Sequence, residues 1–190
     1  MKIQWKSLTR NIWNVPNVLT MVRLFLIPVF IFFAVRGNRF FSLLVFLTAC
    51  FTDLLDGYLA RKHQQVTNFG KLMDPLADKL MVISALFCRG FAGAVPWAVA
   101  AAVLLKESMM VLGGIWMLKH GVVVYANWMG KAAQGFFIVG LTLSFFHEEF
   151  VSHQLSVDQI VLWLALVFSI SAMINYLYLA IKALRKPPAP

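Results

Sequence analysis

Long apolar runs return along this chain so often that a water-soluble fold has nowhere to put them. They occupy about 18–35, 40–60, 74–93, 95–118, 127–147 and 157–181. A hydrocarbon core roughly 30 Å thick takes about 20 apolar residues per helix. At that rate 190 residues hold five or six spans and no separate soluble domain. Hydrophobic residues are 61% of the chain and charged residues 13%, the latter about half a soluble domain's share. That excludes a disordered chain, a disulfide scaffold and almost any water-soluble enzyme. Cys50 and Cys88 fall in or beside apolar runs with no metal-ligand spacing, so they read as reduced and structural.

The short connections Arg36–Arg39 and Gly90–Val95 favour antiparallel neighbours. The expected fold is therefore an all-α integral membrane bundle of six transmembrane helices over 14–182, within a single domain of 1–190. Ahead of it, Lys2, Lys6 and Arg10 recur every fourth residue, while Trp5, Leu8 and Ile12 follow helical spacing on another face. This predicts an amphipathic helix over 1–13 lying in the membrane interface. The run Val18–Val35 is long, carries Arg23 and has no small-residue cleavage site after it, so it reads as a retained span rather than a signal peptide. Residues 183–190 read as a tail.

A net charge of +9 would ordinarily suggest nucleic acid, but the basic residues follow topology. With the N-terminus inside, the inner segments carry Lys2, Lys6, Arg10, Arg61, Lys62, Lys71, Lys79, Lys119, Lys131, Lys182, Arg185 and Lys186. The outer turns carry only Arg36, Arg39 and Arg89, with Arg23 and Lys106 inside spans. The positive-inside rule puts both termini in the cytoplasm and makes the span count even.

Only 8 acids balance the 17 basic residues, and their placement is informative. Glu148, Glu149 and Asp158 fall in the predicted outer loop and are expected to be solvated there. Glu107 sits beside Lys106 in the fourth span. The other four, Asp53, Asp56, Asp74 and Asp78, crowd into 26 residues at spacings i, i+3 and i, i+4, so each pair shares a helix face. A short basic loop can bring the pairs together at the cytoplasmic boundary. Four converging carboxylates repel strongly unless a cation sits among them, and hard oxygen ligands suit Mg²⁺, Mn²⁺ or Ca²⁺. Solvated helix-end acids paired with Arg61, Lys71 or Lys79 would explain one such aspartate, not four with Gly57 and Gly70 built in. The four histidines are scattered in loops and receive no role.

The stretch from Asp53 to Asp78 reads D-x-x-D-G-x-x-A-R-x8-G-x3-D-x3-D, with Gly57, Ala60, Arg61, Gly70 and the four aspartates at its fixed positions. It matches the signature of the CDP-alcohol phosphatidyltransferases at every fixed position. The segment Asn14-Val-Pro16-Asn17-Val-Leu-Thr20-Met-Val-Arg23 also resembles the opening of the family's phosphatidylglycerophosphate synthase and cardiolipin synthase branches. Six spans behind an interfacial helix is likewise the family's plan.

The resemblance implies transfer of a phosphatidyl group from CDP-diacylglycerol to an alcohol, with release of CMP. It implies two divalent cations, Mg²⁺ or Mn²⁺, roughly 4 Å apart, to neutralise the pyrophosphate. Asp53, Asp56 and Asp74 would be metal ligands, with Asp78 completing the site and serving as general base. Asp53, Gly57, Ala60, Arg61 and Gly70 would bind the CDP moiety: the small residues permit close approach and Arg61 forks onto a phosphate. Arg23, Lys106 and Lys131 are the basic residues placed to hold a small anionic acceptor, first among them glycerol 3-phosphate. Phosphatidylglycerophosphate synthases usually show Arg-Glu where this chain has Lys106-Glu107. They also read Gly-Lys-x-Lys-Thr where it has Gly130-Lys131-Ala132-Ala133-Gln134. Phosphatidylglycerol as acceptor would instead give cardiolipin. Family members are often homodimers. A cation transporter would spread its acids across several spans; a purely structural membrane protein would tolerate Asp78→Asn.

Overall fold

The computed structural model describes residues 15–63, 68–119, 128–154 and 156–184. Among them every regular element is an α-helix. The helices are α1 (Val15–Val35), α2 (Arg39–His63), α3 (Asn68–Phe91), α4 (Trp97–Lys119), α5 (Trp128–Ser144), α6 (His147–Ser152) and α7 (Val157–Leu184). Helices are what a lipid-embedded chain can form, because each backbone N–H and C=O must find its partner within the segment. Asn17–Val35, Trp97–Gly114 and Val157–Lys182 are long and apolar enough to cross a membrane. Large apolar side chains such as Phe25, Leu105, Leu112, Val167 and Ile174 stand exposed along them; in water such a surface would drive association, in lipid it is the solvated face. The described residues are those of a helical integral membrane protein.

The other long helices depart from the simple apolar pattern for identifiable reasons. Helices α2 and α3 carry the aspartates and their basic neighbours. Helix α5 has 17 residues, about 25 Å at 1.5 Å per residue. Helix α3 starts at Asn68 rather than at the predicted 74, and α2 runs on to His63. Hydropathy marks only the lipid-soluble stretch, whereas backbone hydrogen bonding carries a helix past it. The predicted interfacial helix over 1–13 lies outside the described residues, as does the tail from 185; Ala183 and Leu184 belong to α7.

Two compact units divide the chain, Met1–Cys88 and Arg89–Pro190. In the first, α1 packs along α2. Their connection is tight: Gly37 takes φ 70°, a conformation that glycine adopts without strain. Asn38 then caps α2, its Oδ1 accepting from the Phe41 amide at 3.2 Å. Phe30 and Phe46 fill the interface with ring centroids 6.1 Å apart, and Ala49 lets the helices approach below them.

In the second unit, α7 is the central element, packing against α5, α4 and α6. Phe136 of α5 stacks on Phe168 of α7 at 5.1 Å. Arg89 closes the C-terminal end of α5: Nε lies 3.3 Å from Ser144 Oγ, Nη2 donates to the Ser144 carbonyl, and the guanidinium covers the Phe145 ring. A cation at a helix C-terminus is favoured by the carbonyls that end there.

One expectation is corrected here. Glu148 and Glu149 are exposed as predicted, but Asp158 is 0% exposed. Its Oδ2 stands 2.7 Å from Nδ1 of His147, a residue given no role from the sequence. The helix predicted to run to 147 ends at Ser144, and the short α6 begins with His147, where it meets the first turn of α7.

Candidate active site

The first unit places polar groups deep in an apolar helix. Asn17, Thr20 and Arg23 recur every third residue of α1 and are 1%, 0% and 1% exposed. Buried polar groups need partners, and two of these find theirs on the aspartates. The Thr20 hydroxyl donates to Asp74 Oδ1 on α3. Arg23 Nη1 stands 2.8 Å from Asp53 Oδ1 on α2. One face of α1 thus engages an aspartate from each half of the signature.

Helix continuity gives the signature a simple geometry. Positions 53, 56, 57 and 60 form one stripe of α2, and positions 70, 74 and 78 form one stripe of α3. Asp53 lies within electrostatic range of both Arg23 and Asp74. Cys50, one turn before Asp53, lies within range of Asp53 and Asp78. The structure therefore brings Asp53 and Asp74 to one face of α1 through Arg23 and Thr20, and Asp78 follows Asp74 by one turn on α3. Asp56, Gly57, Ala60, Arg61 and Gly70 have their backbone on these helices, and their side chains are outside the described set.

Among the described residues, no three His, Cys, Asp or Glu side chains form a ready-made metal cage. The donor chemistry nonetheless fits a hard divalent cation. Asp53 and Asp74 are like charges from different helices, and hard oxygen donors prefer ions such as Mg²⁺ and Mn²⁺. A divalent ion would add positive charge where Arg23 supplies only one.

The two lysines expected to hold the acceptor belong to the second unit. Lys106 is half-buried on α4, its Nζ 2.9 Å from Ser169 Oγ of α7 and ion-paired with neighbouring Glu107. This is no snorkelling lysine: its head group is satisfied within the span. Lys131 is exposed on α5.

A family model, CDP-alcohol phosphatidyltransferase, matches residues 13–171. The chain belongs to the CDP-alcohol phosphatidyltransferase family. It is similar to a probable phosphatidylglycerophosphate synthase of Mycobacterium tuberculosis, 36% identical over 64% of this chain and 60% of that protein. The matched region thus spans less than two thirds of that relative. Two others are covered more fully, both named CDP-diacylglycerol–glycerol-3-phosphate 3-phosphatidyltransferase. The Haemophilus influenzae protein is 32% identical over 88% of this chain and 94% of its own length. The Bacillus subtilis protein is 33% identical over 83% and 90%.

In this member of the family, Asn17 and Thr20 are buried polar residues to which the motif itself assigns no role. The signal was present: three polar side chains at period three within an otherwise apolar span have no reason to face lipid. Arg23 was expected to meet an acceptor, and the structure pairs it with Asp53.

Proposed function

We propose that the chain transfers the phosphatidyl group of CDP-diacylglycerol to glycerol 3-phosphate, giving phosphatidylglycerophosphate and CMP. The observation that supports this reading is that one face of α1 engages an aspartate from each half of the signature, Asp53 through Arg23 and Asp74 through Thr20. The names of the Haemophilus and Bacillus relatives supply the acceptor.

In the reaction the acceptor's hydroxyl oxygen attacks the phosphorus that carries diacylglycerol. The bond from that phosphorus to the bridging oxygen breaks, and CMP departs with its electron pair. Asp78 takes the hydroxyl proton. A free carboxylate is a weak base at neutral pH, so positioning supplies much of the acceleration. Two divalent ions, Mg²⁺ or Mn²⁺, held by Asp53, Asp56, Asp74 and Asp78, would neutralise the pyrophosphate and the leaving group. Asp53, Gly57, Ala60, Arg61 and Gly70 are the residues of the signature that would bind the CDP moiety. Arg23, Lys106 and Lys131 are the basic residues that would attract the anionic acceptor, and Arg23 also holds Asp53 in place.

The same reading takes the chain as one catalytic domain of six spans behind an interfacial helix. It places both termini and the site on the cytoplasmic side of a bacterial membrane, in a homodimer. The family match crosses the boundary between the two units, which supports one domain. The bias of Lys and Arg toward the predicted inner segments supports the sidedness.

The deciding experiment supplies purified protein with CDP-diacylglycerol, Mg²⁺ and either labelled glycerol 3-phosphate or phosphatidylglycerol. Label should pass from glycerol 3-phosphate into phosphatidylglycerophosphate with equal CMP release, and none should pass from phosphatidylglycerol into cardiolipin. Product from phosphatidylglycerol alone would make it a cardiolipin synthase. CMP release with neither would point to another alcohol, and ion flux in liposomes without any transfer would favour a transporter.

A further inference from the structure

We propose that Thr20 is a positioning residue for Asp74, setting the direction in which that carboxylate meets a divalent cation. The inference rests on reading Asp74 as a metal ligand. The other described threonines turn their hydroxyls back onto their own helix. Thr48 donates to the Leu44 carbonyl, Thr52 to Ala49 and Thr142 to Ile138, the usual habit of helical threonine. Thr20 reaches a carboxylate 54 residues away on another helix. It is fully buried, and so are Asn17 and Arg23 above and below it on the same face. A hydrogen bond to one oxygen of a carboxylate fixes the plane of the group, and with it the approach offered by the other oxygen. Partners that hold metal ligands in this way are typically worth about 10- to 100-fold in metal affinity. Arg23 acts beside Thr20 on Asp53, so α1 braces one carboxylate of α2 and one of α3.

The test is Mn²⁺ binding to the purified full chain in detergent, followed by the electron paramagnetic resonance of free Mn²⁺ without substrate. Thr20→Val keeps the shape and loses the donor, and should bind about 10- to 100-fold more weakly. Thr20→Ser keeps the donor and should stay close to wild type. Should valine not be accommodated, Thr20→Ala carries the same expectation. In turnover, the Mn²⁺ concentration for half-maximal CMP release should rise with the same ranking, while kcat at saturating Mn²⁺ falls much less. A merely structural role would lower the melting midpoint and leave the Mn²⁺ affinity of folded protein unchanged; that outcome overturns the proposal. So does a serine variant as impaired as valine. A wild type that binds no Mn²⁺ overturns this proposal together with the metal reading. Failure of the acceptor panel alone leaves the comparison of variants intact.

Discussion

Arg23 and Asp53 meet at 2.8 Å, the arginine side chain only 1% exposed, so an aspartate of the signature is held by a cation that the chain itself supplies. Arg23→Met leaves that carboxylate without its partner. A fully buried pair loses about 3–5 kcal/mol when one member is removed. Asp53 is 27% exposed, so a cost on the order of 2 kcal/mol is expected. A divalent cation can replace the missing charge, and Mg²⁺ should therefore raise the melting midpoint of Arg23→Met more than that of wild type. Melts in detergent with and without Mg²⁺ read this directly; equal shifts would mean that arginine and ion do not share Asp53.

Asp78→Asn keeps the shape of the side chain and removes its ability to take a proton. CMP release should fall by at least about 100-fold, the usual contribution of a positioned general base. Stability should hold or rise, because one of several neighbouring like charges disappears. A variant that retains half of wild-type turnover would remove Asp78 from the chemistry.

Lys106→Met tests the acceptor side. If Lys106 holds the phosphate of glycerol 3-phosphate, its loss removes a charge-assisted contact worth about 1.5–3 kcal/mol. The KM for glycerol 3-phosphate should rise by about 10- to 100-fold, while that for CDP-diacylglycerol stays put. Parallel rises in both constants would reduce Lys106 to a packing role with Ser169 and Glu107.

The sequence made the helical membrane class and the aspartate signature legible because both are written in local pattern. Apolar runs of span length leave one kind of fold, and i, i+3 or i, i+4 spacing fixes a shared face wherever a helix forms. What it could not display were pairings set by tertiary contact. Nothing in the sequence pairs Arg23 with Asp53 until α2 places the two together. Asp158 looks like a solvated loop acid until α6 brings His147 onto it. Helix ends were missed in the same way, since hydropathy ends at the lipid boundary and the helix does not.

The His147–Asp158 pair makes its own prediction. Asp158 is fully buried, so His147→Ala leaves a carboxylate with neither water nor its imidazole, a loss of about 2–3 kcal/mol. Asp158→Asn should cost less, because an amide is cheaper to bury than a charge. In a double-mutant cycle with alanine at both positions, the coupling should exceed about 1 kcal/mol. Strict additivity of the melting free energies would show that the two side chains do not act on each other.

Gly140 tests the packing that holds α5 on α7. A Cβ built there would stand 2.9 Å from Leu162 Cδ2, 3.0 Å from its Cγ and 3.3 Å from its backbone nitrogen. Leu162 is fully buried, so its side chain has little room to turn aside, and the backbone atom cannot move without shifting the helix. Gly140→Ala should therefore destabilise by about 1–3 kcal/mol, as overpacking commonly does, despite alanine's advantage of about 1 kcal/mol in helix propensity. Gly135 lies on the same helix with nothing within 4 Å of its added Cβ. Gly135→Ala should show the propensity gain alone, raising the melting midpoint. The pair of variants separates close helix approach from a general intolerance of substitution in α5: both falling together would refute the packing explanation, and opposite signs would support it.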